Sequence, residues 1–185
     1  MLTFPPFRLP LSPLLARSLA PLLAGPLLLA ELPLPRPAAA QDERPADLVI
    51  VEETLTHQGP HATGVFGRKS DPVVKDLWSV RLWEQLPDRV MISTERVRCD
   101  TASPMRITSR KTRVGGRQVV MRQLNPGGPI TAANRLDHRI WWAVCQPQFA
   151  GRDPATLTAE ARRLGFSIQL PEQELLLPDA AAPPR

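Results

Sequence analysis

The 185-residue chain has only two cysteines, Cys99 and Cys145, and each closes a run with its own secondary-structure signature. Cys99 ends the strand-like Glu95-Arg-Val-Arg-Cys99, and Cys145 ends Ile140-Trp-Trp-Ala-Val-Cys145. Two lone cysteines in an oxidising compartment most simply pair. Their wide spacing differs from the Cys-x-x-Cys arrangement of a reactive thiol pair. A bond closing a loop of about 45 residues is worth roughly 4 kcal/mol in the chain-entropy description. It would fix the ends of two elements side by side, so most of the fold has to be arranged around it.

The start of the chain points to such a compartment. Arg8 and Arg17 precede an apolar run, Ser18 to Ala30, that is too short for a membrane span, which needs about 20 residues. Ala38-Ala39-Ala40 then gives way to Gln41-Asp-Glu-Arg. A basic start, a short apolar middle and small residues at the exit describe a secretory signal peptide over residues 1–40, cut after Ala40. The expected location is periplasmic or secreted, with no transmembrane segment left after cleavage. Residues 41–46 are expected to be a flexible N-terminus, 47–170 a single domain and 171–185 a mobile tail.

The leader holds three of the 23 basic and one of the 18 acidic residues, leaving the remainder at a net +3. The charge is uneven. Residues 96–139 carry ten basic side chains against Asp100 and Asp137, whereas residues 41–95 carry six basic and ten acidic. Tyrosine is absent, so the core rests on Trp78, Trp83, Trp141, Trp142, three phenylalanines and the aliphatics.

Asp47 to Leu55 reads as the first strand, because β-branched residues dominate a short run. Thr56 to Asp71, with Gly59-Pro60, Gly64 and Gly67, reads as a loop. His57 and His61 within it have a metal-like spacing, but no further ligands accompany them and no metal site is assigned. Leu77 to Trp83 could alternate as a strand or wrap as a helical turn, and the strand is the favoured reading. Arg89 to Cys99 is a long strand or two short ones, and a bulge near Thr94 is expected because the apolar residues change pleat face there.

Met105–Thr112 and Arg117–Leu124 flank Val114-Gly115-Gly116 as a hairpin. A three-residue loop groups Met105, Ile107, Val119 and Met121 on one face and leaves Arg106, Arg110 and Arg122 on the other. Arg96 and Arg98 on the preceding strand could extend that face. Such a guanidinium-rich surface suits carboxylates or acidic polymers, and the competing reading is an ordinary solvated face. Nucleic acid is disfavoured by export and by the lack of a stacking aromatic platform in the hairpin.

Asn125-Pro-Gly-Gly-Pro129 is a turn and lacks the Lys-Ser/Thr of a phosphate loop. Ala133, Leu136, Ile140 and Val144 fall at helical spacing, with Thr131 as a candidate N-cap. The propensities of Arg139 to Cys145 also allow a strand. Asp153 to Gly165 has the caps of a helix, with Asp at the start, Pro next and Gly after the last turn. Phe166 to Leu170 could add a short strand.

This layout resembles the surface-adhesin protein E-like family over about residues 47–145. The matching features are Cys99, the Arg117–Leu124 strand, the Pro126-Gly127 turn and Trp142-Ala-Val-Cys145. The resemblance implies a small exported domain with one disulfide joining sheet to helix. The binding residues of that family have no counterpart here, so none is carried over, and this chain continues 40 residues beyond Cys145.

The expected fold is α+β: a small antiparallel sheet, a helix clamped to it by Cys99–Cys145, and a further C-terminal helix. No catalytic, cofactor or metal residues are assigned. Two functional classes stay open. The first is a non-catalytic envelope or surface protein that binds an envelope or host-surface protein or an acidic polymer, with Arg96, Arg98, Arg106, Arg110 and Arg122 as the candidate face. The second is a small exported hydrolase or redox enzyme whose site assembles only in three dimensions.

Overall fold

The structure, a computed structural model, describes residues 44–113 and 116–178. The expected signal peptide and its cleavage point lie outside the described residues. Seven strands form one antiparallel sheet: β1 (Val49–Thr56), β2 (Gly59–Ser70), β3 (Leu77–Gln85), β4 (Val90–Arg98), β5 (Met105–Lys111), β6 (Arg117–Gln123) and β7 (Glu174–Pro178). Their order across the sheet is their order in the chain. Between β6 and β7 the chain forms α1 (Arg135–Cys145), two 3-10 turns and α2 (Thr158–Arg163). The α+β class expected from the sequence is therefore present, with more sheet than anticipated.

The helices cover one face of the sheet. Val65, Val80, Leu82 and Val97 point at Ile140, Trp141, Trp142 and Val144 of α1, and Leu157, Ala161 and Phe166 close the same core. Edge-to-face contacts join Trp141 to Trp142 at 5.2 Å and to Phe166 at 5.0 Å, a favoured geometry for aromatic pairs. Trp141 Nε1 donates to the Arg98 carbonyl at 2.9 Å, which ties the helix to the end of β4. The Cys99–Cys145 disulfide adds a covalent link beside that bond, with the two Cα atoms 5.4 Å apart. The helical alternative for residues 131–145 is the one realised, starting at Arg135 rather than after Thr131.

Residues 56–71 are not the loop that their glycines suggested, because they supply the 12-residue β2. Each glycine has a local reason. Gly64 lies beneath Leu48 and Ile50, where a Cβ would approach Leu48 Cδ1 to 2.7 Å. Gly67 has φ of +62° at the register shift between Phe66 and Lys69, a conformation that L side chains resist. Before that shift, alternation puts Ala62 and Phe66 with Trp83 on the face away from the helices, where Leu48 and Ile50 pack against them.

Other expectations change too. The β3–β4 register runs unbroken from Leu77↔Arg98 to Gln85↔Val90, so no bulge interrupts β4 at Thr94. Val90 and Ile92 are simply exposed on the open face while Val97 enters the core. Met105, Ile107, Val119 and Met121 share one face of the β5–β6 hairpin as the grouping required, but Lys111 rather than Arg113 pairs with Arg117, so the register is not that of a three-residue loop. Asp153 accepts from the Ala155 amide as expected of a cap, yet the segment splits into a 3-10 turn and a short α2. Phe166–Leu170 forms no strand. Residues 174–178, expected in the tail, instead form β7 against β6.

Replacing both Cys99 and Cys145 with alanine should lower the unfolding free energy by about 4 kcal/mol, from the loop length the bond closes. A urea melt measures the loss, and thiol titration of the folded, unreduced protein should detect no free cysteine.

Candidate functional site: an open basic sheet face

Alternation along the strands decides which of the five candidate arginines share a surface. Val97 pairs with Arg106, and Arg106 with Arg122, so Arg106 and Arg122 point to the helix side of the sheet with the core valines. Arg110, opposite Gln118, has the same parity. Arg96 pairs with Ile107 and Ser79, and Arg98 with Met105 and Leu77, which places both on the opposite face. The five do not form one surface. The expected solvated hairpin face is the one α1 covers, because Val120 and Leu124 on it join the core beneath the helix.

Arg106 is the centre of a closed ionic network. Its Nε and Nη2 donate to the two carboxylate oxygens of Glu95 at 2.7 Å each, and its Nη1 donates to Asp137 of α1. Asp137 also accepts from Arg122, whose other nitrogen donates to Glu174 of β7. Burial opposes the charge on Arg106, and the hydrogen bonds and charges of Glu95 and Asp137 more than reverse this, holding its pKa above the ordinary arginine value. Hydrogen bonds donated to Glu174 and Asp137 raise that of Arg122 in the same way. These two guanidinium groups are spent on joining β4, β5, β6, β7 and α1. Arg110 is exposed and donates only to Gln118.

A second polar knot lies beside the first. His138, fully buried, shares a 2.8 Å hydrogen bond between Nε2 and Glu172, and Glu172 also accepts twice from Asn134. Together they moor the segment entering β7 to α1. Asn125 anchors the other side, donating to the carbonyls of Ile168 and Leu170. Among the described residues no cluster of three metal-binding side chains occurs.

The face away from the helices has a different character. Strands β2 to β7 contain three carboxylates, Glu84, Glu95 and Glu174, and all three point to the helix side. The open side of the same strands carries Lys69, Arg81, Arg96, Arg98, Lys111 and Arg117, interspersed with Ile92, Ile107, Val119, Met121, Leu175 and Leu177. Loop carboxylates reach its margin: Asp100 pairs with Arg98, and Asp71, held below the usual carboxylate range by the Val74 and Val73 amides, lies near Arg96. Sequence reading found Arg96 and Arg98 but missed Arg81, Lys111 and Arg117 as their companions. The signal was available in the alternation from Val80 and Val97, once these are taken as core positions.

The open face is not continuous. Only Arg96, Val97 and Arg98 of β4 pair with β5, through Ile107, Arg106 and Met105. Beyond them the two strands diverge, and the sheet forks. A hollow of about 320 Å³ opens on the outer side, lined by Thr94, Arg96, Ile107, Ser109 and Val119 among others. One of about 220 Å³ opens on the helix side, reaching Asp137 and Leu82. Glu95 and Thr108 border both.

No family model matches this chain, and no curated protein and no solved structure matches it. Among the described residues no helix is long and apolar enough to cross a membrane.

The network makes a sharp contrast between two arginines of one hairpin. Glu95 and Asp137 are 6 % and 5 % exposed, so Arg106→Ala strands the buried Glu95 carboxylate, leaves Asp137 with Arg122 alone, and should cost about 3–5 kcal/mol. Arg110→Ala should stay within about 0.5 kcal/mol, as a surface change. Paired urea melts of the two variants check both values.

Proposed function

We propose that the protein is an exported binding module that takes an acidic partner on the open face of its sheet. The observation that carries this reading is the segregation of charge across one sheet: every strand carboxylate from β2 to β7 faces the helices, while six basic side chains face outward. Such a field attracts anions and steers their approach. The half-buried Ile107, Val119 and Met121 between the cations add apolar area of the kind found at interface centres. Export is supported by the leader over residues 1–40 and by the disulfide, which suits a periplasmic or extracellular environment. The same bond is read as a clamp that holds α1 on the sheet face opposite the six cations. The layout shared with the surface-adhesin protein E-like family fits a role at the cell envelope or surface.

The test uses protein purified from cells expressing the full chain, with poly-glutamate as the acidic probe. Binding should be measurable at low salt and fall steeply as salt rises, since exposed charges are screened. The triple variant Arg81→Glu, Arg96→Glu and Lys111→Glu should lose about tenfold or more in affinity, whereas Arg110→Glu on the other face should change it by less than about twofold. Equal losses from the two variants, or binding indifferent to salt, would refute the open face as the site.

A further inference from the structure

We infer that the fork between β4 and β5 is a docking slot for an extended acidic peptide of a partner protein, added to the sheet as an extra strand. This deepens the binding-module reading and rests on it. Residues Val90–Glu95 pair fully with β3 on one side, and among the described residues have no strand partner on the other. Thr108–Lys111 pair with β6 and likewise have no β4 partner. Backbone amides and carbonyls along such an edge are strong hydrogen-bonding groups directed at the gap, and adding a strand satisfies them in register. Six residues of β4 offer about 20 Å of edge.

The other two edges of the sheet are guarded in ways this one is not. β1 has a register shift between Ile50 and Glu52 and carries Glu52 and Glu53, which would repel an acidic strand. β7 is only five residues long and ends in Pro178. Val90, Met91 and Ile92 on the β4 edge are 40 %, 42 % and 58 % exposed, with neither a proline nor a charge from Val90 to Thr94. An exposed apolar strand edge of this kind is normally blunted. Here it is left bare inside the sheet, facing the equally unpaired edge of Thr108–Lys111.

Charge selects the occupant. The mouth of the fork lies between the β3–β4 turn and the β5–β6 turn, and carries Arg89, Arg110, Lys111, Arg113 and Arg117. Asp88, the acidic residue of the first turn, is bound to Arg89. A second copy of this chain would bring like charges to the same mouth, whereas a peptide with carboxylates flanking a β-prone centre meets opposite charge at the ends and apolar Ile107 and Val119 within.

The probe is a synthetic peptide of alternating valine and threonine flanked by glutamates, tested on the full-chain protein. Two controls accompany it: the same peptide N-methylated at alternate residues, which keeps the charge but removes strand hydrogen bonding, and one flanked by lysines. The acidic peptide should bind at least tenfold more tightly than either control and slow amide hydrogen exchange across residues 91–95. Equal affinity of the N-methylated peptide overturns the slot while leaving the acidic-partner reading standing. Equal affinity of the lysine-flanked peptide with protection of residues 91–95 keeps strand addition but refutes the acidic partner. Protection confined to β1 or β7 places the added strand elsewhere and overturns the slot.

Discussion

Arg106 sits between a carboxylate from the neighbouring strand and one from the helix above, and most of the architecture follows from that position. Burying a guanidinium beneath a helix is unfavourable unless opposite charges and hydrogen bonds compensate it, and here Glu95 and Asp137 supply both. Asp137 then recruits Arg122, and Arg122 recruits Glu174 of the last strand. One chain of charge therefore fixes the height of α1 over the sheet and holds β7 in place. Sequence-distant pieces, from residue 95 to residue 174, meet through four ion pairs.

The same accounting explains why the two sheet faces differ. On the helix side Arg106 and Arg122 are consumed by the carboxylates of α1 and the neighbouring strands, while the open side of β2 to β7 has cations and no strand carboxylate. A small domain whose second sheet face is covered only in part, over Ala62, Phe66 and Trp83, has less apolar surface to bury. It compensates with four tryptophans, two of them fully buried on α1, and with a covalent bond at the end of that helix.

Much of the fold could be read from residue order. The first strand, the strand through Trp78 and Trp83, the β5–β6 hairpin and the Cys99–Cys145 pairing all follow from local patterns that the structure retains. Where reading failed, a tertiary effect overrode a local one. Gly64 reads as a breaker because nothing nearby reveals that Leu48 will need its missing side chain. Glu174–Pro178 reads as a loose end because β6, its partner, lies some 50 residues earlier. The arginine face reads as exposed, for a partner or for solvent, because Asp137, its counter-charge, is a single carboxylate on a helix whose placement no pattern discloses. Two of the six open-face cations were visible, as Arg96 and Arg98, and the fork was not, since strand divergence leaves no mark on composition.

The strand order also bears on how the chain reaches this structure. Each of the first six strands folds back on the one just before it, so every pairing up to β6 closes a short loop, and such contacts form with little entropic delay. A chain emerging with its N-terminus first can lay down these hairpins as they appear, before the helices exist. Only β7 has to wait, because its place is defined by a strand on the far side of two helices. The last segment to be made is therefore also the last to be seated, and its arrival completes the ion-pair chain that began at Arg106.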